Sequence, residues 1–384
     1  MGIKKTACRL LFQNIYTRRL HSLPNWEASL KEKIKTYPKN PQDYSTSKPC
    51  SIYRVPINMR QVEPKAYTPN IISIGPYHHG SSWHLQEMEK VKKNFLHRLV
   101  DSKILQLEDV INALGRMEEE ARSHYADEVK LSKEEFVEII LLDGCFIVEL
   151  LRELKRHKFT HGSSLIERWM LPVLRRDLMM LENQLPLFVL QMLFQSTNRN
   201  NYNSHESLQD LALKFFSPLI RRGNMPLLSS TQELESAKHF LDLFRLSILP
   251  RKLLGTEAET IEGEDTIDMI GSIRELKKAG MLIEKGKGLF PLDIHSEGRA
   301  LVIPPLYIDD YKGTLFRNMV AFEQRHHGCK PQVSTYLVFL DKLINDVEDV
   351  EVLHKKQIIQ YSSGSKKDVA TLINGIGEGW IDVN

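Results

Sequence analysis

Cysteine is scarce in this chain: Cys8, Cys50, Cys145 and Cys329 are the only four among 384 residues. They lie far apart and form no CxxC pair. That excludes a disulfide-rich secreted scaffold and argues against a structural zinc centre. A reducing, intracellular compartment is the simplest expectation, cytoplasmic or membrane-associated. Long apolar runs are also missing, since no stretch of about 18 uncharged apolar residues occurs. The longest candidate, Phe136 to Leu151, is interrupted by Glu138, Asp143 and Glu149, and Leu185 to Phe194 is shorter still. Both read as buried core helices. The formal net charge is only +3. Its basic pairs, Arg175-Arg176, Arg221-Arg222 and Lys366-Lys367, are dispersed and not interleaved with aromatics. No nucleic-acid partner is therefore expected. There is no GxSxG, no GxxxxGK[ST], no GxGxxG after a strand and no HExxH, so the common nucleophile, phosphate-loop, dinucleotide and zinc-protease signatures are absent. No internal repeat or low-complexity tract appears.

What is present is a large globular chain. A hydrophobic content of 42% with 26% charged residues suits a large core or two closely packed subdomains. Residues 1–49 read as a basic N-terminal arm and linker, 50–375 as the folded domain and 376–384 as a tail. Before Glu27 the arm holds Lys4, Lys5, Arg9, Arg18 and Arg19 and no acid. Three readings compete for it: a disordered arm, an organellar transit segment, or a lipidated one. The start Met1-Gly2-Ile3-Lys4-Lys5-Thr6 fits acylation of Gly2, with Cys8 placed for a second chain. Peripheral membrane contact through the arm would follow, and equal fractionation of wild type and Gly2→Ala would remove that idea.

Along the domain, apolar spacing predicts helices over 84–100, 105–125, 132–158, 173–183, 186–194, 208–220, 272–279, 315–324, 334–345 and 347–356. Ser132 with Glu135 forms a capping box. Gly280 suits a helix C-cap, and Pro186 suits a first helical turn. The Glu118-Glu119-Glu120 run reads as a solvated face. Cys145 reads as a small buried hydrophobe. Residues 196–204 read as a polar surface loop and 255–265 as an acidic, disordered stretch. Between 281 and 303 the period changes to short runs separated by glycines, which predicts a small antiparallel sheet. The fold class expected is mainly α: a compact multi-helix domain with that small β element.

The densest backbone constraints lie in Ile52 to Gly80. Pro56, Pro64, Pro69 and Pro76 fix φ and remove donors. Gly75 and Gly80 bracket Pro76-Tyr77-His78-His79, a tight turn needing permissive backbone. Asn70 to Ile74 reads as a short buried strand. IYRVP, then AYTPNIISIGPYHHG, then LQEMEKVKKNFL resemble the opening of the plant Domain of Unknown Function 247 family. The likeness continues through Leu142–Leu151, Arg176–Leu190, Ile273–Leu276, Ile303–Asp310, Leu315–Gln324 and Phe339–Asn345. The resemblance implies architecture more than mechanism, because the family has no established general activity. Some members are associated with pollen recognition in self-incompatibility. Members usually continue into one apolar helix near the C-terminus. This chain stops at Asn384, so the resemblance suggests a C-terminally shortened member lacking that transmembrane helix.

Candidate chemistry falls into two sets. His78, His79 and His84 lie within seven residues, and imidazoles bind metals. Adjacent histidines share no helix or strand face, however, and no Glu or Cys stands at a ligand spacing beside them. The expectation is that one ring serves the turn and the other faces water, with no metal and no cofactor. His326-His327-Gly328-Cys329 is read the same way. The second set is carboxylates in apolar or motif-rich segments: Asp143, Glu149, Asp177, Glu182, Asp309, Asp310 and Glu323. Buried carboxylates are costly unless paired. Arg176, Arg274 and Arg317 are available partners, and Asn183 and Gln184, just ahead of Pro186, can serve backbone groups. A polar network that locks one helix arrangement is expected. The leading reading is recognition or scaffolding with an unspecified protein partner. The alternative is an enzyme of unassigned class using Gly75–Gly80 with Asp143, Glu182 or a metal.

Overall fold

The computed structural model describes residues 30–33, 50–155, 165–197, 206–220, 232–250, 271–287, 290–362 and 364–376. Cys50–Asn384 forms one compact unit and Met1–Pro49 another. In the second, only residues 30–33 are described, as helix. Gly2, Cys8 and the 255–265 stretch lie outside the described residues, as does most of the 196–204 loop.

The larger unit is mainly α-helical with a small β element. Its elements run α1 (Ile57–Val62), α2 (Gln86–Asp101), α3 (Leu107–Ser123), α4 (Lys133–Lys155), α5 (Met170–Asp177), α6 (Leu187–Ser196), α7 (Leu208–Phe216), α8 (Gln232–Glu235), α9 (Phe240–Ile248) and α10 (Ile273–Lys278). Then follow β1 (Leu282–Lys285), β2 (His295–Glu297), β3 (Ala300–Ile303), β4 (Leu306–Ile308), α11 (Lys312–Arg325), α12 (Gln332–Leu343), α13 (Val347–Lys355), β5 (Ile359–Tyr361) and α14 (Lys366–Ile376).

Helix α4 is the axle of the N-terminal half. The Ser132–Glu135 capping box starts it, Ser132 N–H bonding Glu135 Oε2 at 2.8 Å and Glu135 N–H bonding Ser132 Oγ at 3.1 Å. It is buried on every side from Ile139 to Leu151 because α2, α3, α6 and α7 pack around it. Gly144 permits the close approach of α6: a Cβ there would stand 2.2 Å from Leu193 Cδ1. Mid-helix glycine costs about 1 kcal/mol relative to alanine, and the proximity of α6 explains why it is there. In the C-terminal half, α11 plays the same part against α9, α12, α14 and the Pro64–Tyr67 turn.

The sheet between 281 and 303 is mixed, not antiparallel as expected. β1 pairs parallel with β3, Leu282 opposite Ala300 through Lys285 opposite Ile303, and β2 pairs antiparallel with β3. Strand β3 lies between them, so the hairpin neighbours β2 and β3 are antiparallel while β1 arrives from α10 in the same sense as β3. Residues 290–294 form a turn, not a strand. A second, two-stranded parallel sheet joins β4 to β5. Other expectations shift locally. The helix predicted over 173–183 ends at Asp177. Pro186 occupies the position just before α6, with ψ 135°, one residue earlier than anticipated. Glu118 is buried and paired with Arg122 at 2.5 Å rather than solvated. Gly280 takes φ +88° after α10, as a C-cap requires. Among the described residues no helix is long and apolar enough to cross a membrane.

Candidate functional site

The Asn70–Gly75 segment is the centre of the molecule's polar network. It bends at Asn70 and Ile71 and belongs to no strand, which corrects the expected strand. Its buried backbone groups still need partners, and side chains supply them. Asp177 Oδ2 accepts the N–H groups of Asn70 (2.9 Å), Ile71 (2.8 Å) and Ile72 (3.2 Å). Asn183 Oδ1 accepts Ile74 N–H at 2.6 Å, and its Nδ2 donates to Ile72 O at 3.1 Å and Asp177 O at 2.9 Å. Asp143 Oδ2 accepts Gly75 N–H at 2.7 Å. Lys92 donates to Ser73 O at 2.6 Å. A row of side chains from α2, α4 and the α5–α6 connection thus replaces a neighbouring strand.

The turn that follows depends on glycine. Gly75 has φ +70°, and a Cβ there would meet Gln184 O at 2.8 Å and Tyr125 Oη at 2.9 Å. Tyr125 Oη donates to that Gln184 carbonyl at 3.0 Å. Gln184 Nε2 donates to Leu178 O and Met180 O, and its Oε1 accepts Leu241 N–H. Tyr77 accepts Asp127 N–H at 3.1 Å, with the Arg54 guanidinium 4.1 Å above its ring. Pro76 and Tyr77 therefore sit in a turn tied to both halves of the core.

Four of the predicted carboxylates, Asp143, Asp177, Glu182 and Glu323, accept backbone N–H groups. Lys92, fully buried, bridges Asp143 and Glu89 at 2.5 Å each. Burial pushes the Asp143 carboxyl up, and the Lys92 ammonium opposes it. Glu182 accepts Val55 N–H at 2.7 Å, Arg54 at 3.2 Å and Arg60. Glu323 caps α12, accepting Val333 N–H, Ser334 N–H and Ser334 Oγ, with Arg245 at 3.4 Å. Among the described residues Arg317 pairs with no carboxylate, contrary to expectation; it donates to Gly375 O at 2.6 Å and ties α11 to the end of α14. Asp177 retains one buried oxygen, Oδ1, without a hydrogen bond, and burial pushes its carboxyl up to about 6.

The two adjacent imidazoles diverge. His78 is buried, its Nε2 3.5 Å from Glu182 Oε2 and without a hydrogen bond, and burial pulls the ring down to about 4. His79 is exposed. His84 lies half-buried in the Trp83–Leu85 turn. Among the described residues no three His, Cys, Asp or Glu side chains stand where they could hold a metal ion.

A cleft of about 380 Å³ opens beside this turn, between α2 and the first turns of α4. Leu85, Ile139 and Leu142 floor it, and His79, Glu89, Lys93, Glu135 and Glu138 surround it. Trp83, in sequence between the lining residues Ser82 and Leu85, is 81% exposed. Of the predicted turn, His79 and Gly80 line this cleft, with Ser73 from the preceding segment; His78, Asp143 and Glu182 lie outside its wall. Lys92 and Trp83 were not singled out from the sequence. Lys92 carried a signal, since it falls on the apolar stripe of Met88, Phe95 and Leu99.

The side chains that build this network span the interval that a family model matches. Residues 52–384 match Domain of Unknown Function 247, described as plant protein of unknown function. The chain belongs to this family. Similar proteins include the UPF0481 protein At3g47200 of Arabidopsis thaliana, 29% identical over 353 residues, covering 86% of this chain and 72% of that protein. A second UPF0481 protein of that plant, At3g02645, is 32% identical over 209 residues, covering 52% of this chain and 38% of the relative. No solved structure matches the chain. Within the family domain, Arg54, Asn70–Gly75, Asp143, Asp177 and Glu182–Gln184 form one connected framework.

Proposed function

We propose that the chain is a non-catalytic recognition protein whose cleft beside the Gly75–Gly80 turn receives a basic side chain from a partner protein. One contrast carries this reading. The oxygens of Asp143, Glu182 and Glu323 are engaged by backbone N–H groups and cations within the fold, while Glu138 and Lys93 line the open cleft. A general acid or base must reach a reacting atom, and Asp143 and Glu182 are buried away from the cleft. The cleft itself suits a long cationic side chain. Its apolar floor accommodates the methylene stem, and Glu89, Glu135 and Glu138 outnumber Lys93 at the rim. Exposed Trp83 offers the aromatic anchor on which binding energy concentrates. The framework behind the cleft fixes its shape, which limits the ordering cost of binding.

A photo-crosslinking residue placed at Gln86, in the cleft wall, tests the reading in plant tissue expressing the full chain. The cross-link is expected to map to a partner segment containing Lys or Arg, and to vanish in Trp83→Ala and in Glu138→Lys. Cross-links that map to segments without a basic residue, or that survive both substitutions, would contradict it.

A further inference from the structure

The carboxylates of the cleft beside the Gly75–Gly80 turn differ in what they still offer a ligand. Glu89 Oε1 is committed to the fold, accepting Lys92 Nζ at 2.5 Å and Ser73 Oγ at 3.2 Å. Among the described residues nothing donates to its Oε2. Glu135 Oε2 accepts Ser132 N–H at 2.8 Å, which leaves its Oε1. Glu138 is exposed and makes no hydrogen bond or ion pair among the described residues. All three line the same space of about 380 Å³. Glu89 reaches it from α2, and Glu135 and Glu138 reach it from one face of α4.

The fold does not balance the charge here. Lys92 stands between Glu89 and Asp143 and neutralises one of them. Lys93, also in the wall, offsets one of Glu135 and Glu138. Each pair leaves one negative charge. A cation entering over the apolar floor of Leu85, Ile139 and Leu142 is therefore attracted from both helices.

The two features that favour a guanidinium are missing. Arginine is held best by both oxygens of one carboxylate or by the face of an aromatic ring. Glu89 and Glu135 each have one oxygen left. Glu138 keeps both, but it faces water, where an ion pair contributes little. No Phe, Tyr or Trp lines the cleft, and Trp83 stands outside its wall. An ammonium suits the arrangement better, because its three N–H groups seek three separate acceptors. Glu89 Oε2, Glu135 Oε1 and a Glu138 oxygen supply them. We propose that the side chain received in this cleft is an unmodified lysine. The proposal rests on the reading of the cleft as the receiver of a basic side chain, and narrows it. Acetylation of that lysine removes its charge and should exclude it.

Three tripeptide amides that differ only in the central residue (lysine, arginine or Nε-acetyl-lysine) test this. Each is titrated against the full chain and read at the methyl signal of Ile139 in the cleft floor. The lysine peptide is expected to bind in the millimolar range, the arginine peptide about tenfold more weakly, and the acetylated peptide not at all. Glutamine at position 135 can still accept Ser132 N–H, so Glu135→Gln removes charge and keeps the cap. The Glu135→Gln/Glu138→Gln double variant should weaken the lysine peptide at least about tenfold. An arginine peptide that binds as tightly as the lysine one would overturn the choice of lysine and leave a basic side chain as the ligand. Binding of neither peptide would overturn both readings. Acetylated peptide that binds as well as lysine would overturn the proposal. So would an unchanged affinity in the double variant, with its thermal melt showing that it is folded.

Discussion

Replacing Asn183 with alanine removes an acceptor and a two-hydrogen donor from the middle of the core. Asn183 is fully buried, so water does not replace it. Ile74 N–H loses its partner at 2.6 Å and Ile72 O loses one at 3.1 Å. Asp177 O also loses one, but still accepts Met180 N–H at 3.2 Å and suffers less. An unsatisfied buried group costs about 1–3 kcal/mol, so two of them should cost about 2–6 kcal/mol. That is a large part of the roughly 5–15 kcal/mol available to a domain. Asn183→Asp is the sharper companion. It keeps an acceptor for Ile74 N–H but turns a second oxygen toward two carbonyls, and should destabilise at least as much. His79→Ala, at an exposed ring, should stay within about 0.5 kcal/mol. Urea unfolding followed by far-UV circular dichroism measures all three. A loss below about 1 kcal/mol for Asn183→Ala would refute the reasoning, because the segment would then be held by something other than these bonds.

Gly75→Ala should lower stability by more than about 2 kcal/mol, since it forces a Cβ against backbone at positive φ; an unchanged melting temperature would contradict the geometry. Gly144→Ala should cost about 1–3 kcal/mol by overpacking α4 against α6, and a stabilised variant in the same melt would show that the helices separate freely. Acid should unfold the domain through its buried histidines. His78, His124 and His239 are each pulled by burial to about 4. Their contribution is present above the ordinary imidazole value of about 6.5 and is lost as pH falls through about 4, at up to roughly 3 kcal/mol each. Asp177 acts oppositely: its carboxyl is raised to about 6, so its contribution is present below about 3.9 and is lost as pH rises through about 6. The histidines should win, and stability measured by urea unfolding between pH 7 and 4 should fall; a rise across that range would reverse the assignment.

Local features were legible in the sequence, and long-range ones were not. The Ser132–Glu135 box and the Gly280 cap are settled within a few residues, and both are where spacing put them. Asn183 and Gln184 could be read as backbone binders because they sit at a helix junction. The error at Asn70–Ile74 has a clear cause. β-branched residues indicate a buried segment, and from Ile72 to Ile74 that part holds. They cannot reveal that the partners are Asp177 and Asn183, more than a hundred residues away, instead of another strand. Arg317 was misread for the same reason: its acceptor, the Gly375 carbonyl, carries no side-chain signature. The parallel pairing of β1 with β3 likewise depends on which strand lies between them. The candidate cleft was less visible still, because Trp83 and Glu138 are ordinary surface residue types until the fold groups them.

Amide hydrogen exchange at Ile72, Ile74 and Gly75 tests the framework most directly, because these N–H groups are bound only by side chains. The structure predicts that they exchange as slowly as the amides of helix α4, opening only when the whole domain unfolds, and that Asn183→Ala releases Ile74 first. Exchange at the rate of exposed loops in the unaltered chain would mean that the buried acids and amides do not hold this segment.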